Sequence, residues 1–119
     1  MTGLAIFRVD NARNVTSLAS FPESAIRPCH TLTEWHQALM PVLPAGARWT
    51  DSFHAHWRSS TNELELRIEP DLSSLAVEAR DVAEGEVLRM LQRMQQAGTW
   101  VVVSLNRGEV FDYAHPDTN

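Results

Sequence analysis

A chain of 119 residues, 44% of them apolar and 21% charged, has material for one packed core and too little for a comfortable second one. Its formal charge of −5 argues against direct nucleic-acid binding, and no apolar run reaches the length of a membrane span. The single cysteine, Cys29, excludes an internal disulfide. It points to a reducing compartment, the cytoplasm.

Leu4 to Val9 reads as a short strand, followed by a turn-like stretch, Asp10 to Asn14. Residues 15 to 30 have no clean period and contain Pro22 and Pro28, which predicts a loop with at most one short element. Within it, Cys29 and His30 are adjacent, but neighbours in an extended chain seldom face each other. Thr31-Leu32-Thr33-Glu34 has the form of a capping box, and Leu32, Trp35, Leu39 and Leu43 follow as an apolar stripe. Pro41 and Pro44 limit this helix to two or three turns, because an interior proline lacks the N–H and clashes with the preceding turn.

Arg48 to Arg58 alternates, with Phe53, Ala55 and Trp57 on one side and His54, His56 and Arg58 on the other. After a turn at residues 59–62, Glu63 to Glu69 alternates again with Leu64, Leu66 and Ile68 inward. The two runs predict an antiparallel hairpin with one wet face. A third strand is expected over Leu75 to Ala79.

Asp81-Val82-Ala83-Glu84 predicts a second capping box, with Asp81 as N-cap. Val87, Met90, Leu91, Met94 and Ala97 form the apolar stripe of the helix, and Gly98 stands where a left-handed cap residue belongs. Thr99 to Leu105 is β-branched and apolar on both sides, as an interior strand requires. Asn106-Arg107-Gly108 turns the chain into a partner strand, Glu109 to Tyr113. Residues 114–119 are expected to fray.

The predicted order is β-α-β-β-β-α-β-β. It describes one α+β domain over residues 1–119, an antiparallel sheet with two helices on one face. Toxin-immunity proteins, phage-borne inhibitors of bacterial defence and secretion chaperones include small acidic domains of this class. The likeness is one of architecture and charge only.

Three constellations bear on function. His54 and His56, at i and i+2 on a strand, project to one side and could share a zinc ion with a third ligand from His36, His115 or Glu63. No HExxH or CxxC motif accompanies them, and two histidines on a polar strand face is the plainer reading. Glu63, Glu65 and Glu69 line one strand face and can steer a basic protein partner, competing with phosphate for it. Four tryptophans are many for this length, and Trp49 or Trp57 is the expected aromatic anchor beside that acidic face. No phosphate loop, Rossmann fingerprint or nucleophile elbow is present.

The expectation is therefore a non-catalytic, protein-binding module of the inhibitor type, immunity or anti-defence. A dimeric chaperone with Trp100 and Val102 at a twofold interface is the second reading. A small enzyme using His54 and His56 is the third.

Overall fold

The computed structural model describes residues 2–10, 26–27, 30–82 and 85–113. Its elements are β1 (Thr2–Arg8), α1 (Leu32–Leu39), β2 (Arg48–Trp49), β3 (His54–Arg58), β4 (Glu63–Ile68), β5 (Leu75–Arg80), α2 (Gly85–Gln96), β6 (Trp100–Ser104) and β7 (Glu109–Phe111). The strands form a single seven-stranded sheet in the order β2-β3-β4-β5-β1-β6-β7. Every pairing is antiparallel. This is the expected α+β class, with one strand more than the sequence pattern predicted.

The extra strand comes from the Arg48 to Arg58 run, which folds back on itself. Asp51 Oδ1 accepts the N–H groups of Phe53 (2.8 Å) and His54 (2.9 Å), and this side-chain turn closes a tight β2–β3 hairpin. Alternation alone cannot register such a reversal, because the residues on either side of it keep the same parity.

The N-terminal strand lies inside the sheet, not at its edge. β1 pairs on one side with β5 (Leu4 opposite Val77) and on the other with β6 (Ile6 opposite Val102). Leu4, Ile6, Leu64, Leu66, Ile68, Leu75, Val77, Ala79, Trp100 and Val102 all face one side. There they join Trp35 and Leu39 of α1 and Val87, Met90, Leu91 and Met94 of α2 in one buried cluster. Both helices therefore cover the same face, as the stripes predict. Ala97 is the exception: it follows the last helical residue and is exposed.

The α1 capping box is nearly as predicted. Thr31 Oγ1 accepts the Glu34 N–H at 3.1 Å, and Glu34 reaches back to the N–H of His30, one residue earlier than the motif implies (2.7 Å). Glu34 also pairs with Arg8 at 3.0 Å, which ties the helix start to the end of β1.

The second capping box is not built from Asp81. That residue follows β5 with φ 61, the helix begins at Gly85, and Ala83 and Glu84 lie outside the described residues. The acceptor at the helix start is instead Asn62 from the β3–β4 turn, whose Oδ1 takes the Glu86 N–H at 3.2 Å. Gly85 has φ 70 and lies against the Asn62 carboxamide, so any side chain there would be strained and would collide.

β6 is interior, buried along its whole length, as its composition predicts. Gly98 (φ 79) and Gly108 (φ 65) occupy the left-handed positions assigned to them. The loop expected over residues 15 to 30, including Cys29, lies largely outside the described residues, as does the frayed tail expected at 114–119.

Candidate functional site

The face of the sheet away from the helices is divided. Around β1, β6 and β7 it carries a second apolar cluster, Val9, Val101 and Val103 with Phe7 and Val110. Across β2 to β5 it is charged. Strand parity puts His54, His56 and Arg58 of β3, Glu63, Glu65 and Arg67 of β4, and Glu78 and Arg80 of β5 on this side. Glu69 continues it, because its N–H still bonds the Ser74 carbonyl at 3.0 Å.

Register decides which of these charges meet. Glu63 lies between Arg58 and Arg80, and it approaches Arg58 and His56 at 3.6 Å each. Glu69 pairs with Arg67 at 3.1 Å. Glu65 lies between His56 and Glu78. Glu65 and Glu78 are therefore direct cross-strand neighbours of like charge, both exposed, and neither has an ion-pair partner among the described residues. Such a pair costs a few tenths of a kcal/mol to about 1 kcal/mol. Of the three glutamates expected to form an acidic face, Glu63 and Glu69 are each matched by an arginine. Glu78, which the sequence reading did not single out, completes the unmatched pair. The β5 alternation shows that Glu78 faces away from the core, but its place opposite Glu65 is set only by register.

The two aromatic anchors separate. Trp57 shares a face with Ala55 and Leu64, is 8% exposed, and donates its indole N–H to the Ala45 carbonyl at 3.1 Å. It belongs to the core and is not an anchor beside the glutamates. Parity is the reason: Trp57 and the carboxylates point to opposite sides of the sheet. Trp49 is half-buried at the sheet edge and stacks on His36, with ring centroids 4.0 Å apart. His36 is held by a 2.8 Å contact between Nε2 and the Ser52 carbonyl. Together with Met40, Leu43, Pro44, Ala45 and Ala47 they line a cleft of about 390 Å³.

The paired histidines are engaged separately. His54 Nδ1 lies 2.8 Å from Asp51, whose carboxyl is held below its ordinary range, first by that ring contact and then by the Phe53 N–H. His56 faces Glu63. Of the third ligands considered, His36 is stacked on Trp49, and His115 lies outside the described residues. Among the described residues no group of three or more His, Cys, Asp or Glu side chains comes together as a metal site.

Trp100 and Val102, expected at a twofold interface in the chaperone reading, lie in the core against α1. Trp35 and Trp100 are tilted rings 5.5 Å apart. An interface built on them would require the helix layer to leave.

No protein-family model, curated protein or solved structure matches this chain. No helix among the described residues is long and apolar enough to cross a membrane.

Proposed function

We propose that this protein is a non-catalytic binding module that docks on a basic protein surface through the outer face of its sheet, acting as an inhibitor of the immunity or anti-defence type. The observation that carries the reading is the Glu65–Glu78 pair, two carboxylates side by side that are unmatched among the described residues, on a sheet face that neither described helix covers. An arginine or lysine from a partner, set between them, relieves their repulsion and gains two charge-assisted contacts. Glu63 and Glu69 flank the pair. Their own arginines leave the surroundings nearly neutral, so attraction is local and orients the partner more than it draws it from a distance. The single cysteine and the absence of a long apolar segment in the sequence favour a cytoplasmic setting.

The test is gentle purification from the native host followed by native mass spectrometry. The reading expects a second polypeptide bound to the wild-type chain. It also expects that polypeptide to be lost from the double variant Glu65→Arg, Glu78→Arg, while Glu86→Arg on α2 retains it. A partner held equally by all three proteins would place docking elsewhere.

A further inference from the structure

The sheet has two edges, and they end differently. Beyond β7 the chain meets α2, where the Gln95 carboxamide donates to the Phe111 carbonyl and accepts from the Tyr113 N–H. At the β2 edge no such contact is made among the described residues. Thr50 N–H bonds the His54 carbonyl at 2.9 Å, and Arg48 is paired with His56, so Trp49 between them is a residue of the non-bonded kind. Its backbone N–H and C=O point away from β3, and among the described residues nothing receives them. Its side chain forms a wall of the cleft beneath, next to Met40, which is 73% exposed. On the opposite face Arg48 is exposed, with no carboxylate partner among the described residues.

We infer that the β2 edge receives an extended segment of another protein in which an apolar residue is flanked by acidic ones. A strand laid beside β2 takes the outward N–H and C=O of Trp49 as its ladder bonds. The residue opposite Trp49 then projects to the helix side of the sheet and enters the cleft. Its two sequence neighbours project to the other face, where one lies directly opposite Arg48. A carboxylate there extends the cross-strand pair already formed by Arg48 and His56, and supplies the guanidinium with a partner. The charge of the edge thus selects the flanking residues, and the cleft selects the apolar one. This shares with the preceding reading only the premise that the partner is a protein, and it does not use the carboxylate pair.

The probe is the peptide acetyl-Thr-Glu-Leu-Glu-Thr-amide, titrated to about 5 mM into the full chain. Amide shifts and hydrogen exchange are followed by NMR. The expected result is slowed exchange at the Trp49 amide, with shifts confined to the cleft and β2. Replacing the peptide leucine by serine should weaken binding about tenfold. Replacing both peptide glutamates by lysine should weaken it about threefold, and Arg48→Glu should reverse that preference. No response at Trp49, equal binding of the two charge forms, or shifts centred on Glu65 and Glu78 would each overturn the inference. So would a native mass of twice the chain, with the Trp49 amide already protected, since a second copy would then occupy the edge. The lysine peptide binding at Glu65 and Glu78 alone would leave the proposed function standing and this inference lost.

Discussion

Asn62 shows how much one side chain can settle. It is 4% exposed, yet its polar groups are used: its backbone N–H bonds Ser59 Oγ at 2.9 Å and its carboxamide oxygen caps α2. The β3–β4 turn and the start of the second helix are therefore one unit. Asn62→Ala removes the cap and leaves a helix N–H without its acceptor. About 1 kcal/mol of stability should be lost, read as a lower urea midpoint. Gly85→Ala should cost more than Asn62→Ala, because it adds a left-handed backbone penalty to the collision with Asn62. Equal stability of Gly85→Ala and wild type would show that the helix start can relax away from the turn. From sequence, Asp81 carried every mark of an N-cap. The competing solution, an asparagine 24 residues before the N–H that it caps, leaves no local pattern to detect.

The two helices differ in how they grip the sheet. α1 has eight residues and would be marginal alone. Its hold comes from Trp35, which is fully buried, tilts against Trp100 and donates its indole N–H to the Leu72 carbonyl at 2.9 Å. α2 is longer and buries four stripe residues, and Arg93 reaches back to the Val42 carbonyl after α1 at 2.9 Å. The core thus runs from β1 through both helices without a seam. Trp35→Ala should cost about 3–5 kcal/mol, and it should do so in one unfolding transition rather than by releasing α1 alone. Near- and far-ultraviolet circular dichroism, followed together through thermal unfolding, would separate these outcomes. The periodicity of both helices was legible, and so was the interior character of β6. The fold-back at Asp51 was not, because it depends on a side chain bonding two successive backbone N–H groups.

At the scale of the whole molecule, charge connects layers and sets the pH range of the fold. The carboxyl of Glu34 lies below its ordinary value of 4.5, first because it accepts the His30 N–H and then because Arg8 is beside it. Asp51 and Asp71 lie below their ordinary 3.8 through His54 and the Ser73 hydroxyl respectively. Depressed acids stabilise the fold above their unfolded values and lose that contribution as pH falls through the folded ones. Stability should therefore be level above pH 4.5 and decline below it. Tyr113 works in the opposite sense: burial raises its phenol above 10.0, so its contribution holds below that pH and is lost in stronger alkali. Urea midpoints measured from pH 3 to pH 7 should show the acid decline, and Glu34→Gln should make it shallower. An unchanged slope in that variant would mean that the Arg8–Glu34 link carries no pH dependence.

Local chemistry in the chain determined the helices, most of the strands, the left-handed glycines and the side of each strand that faces the core. These follow from side-chain period and backbone preference, which act over a few residues. Only the tertiary structure decided that β1 lies inside the sheet, between β5 and β6, strands distant from it in sequence. It also decided that Glu65 meets Glu78, that Trp57 is buried while Trp49 stands at an open edge, and that Asn62 starts α2. Register and strand order are won by the sum of contacts between distant segments, and that sum has no signature in any one of them.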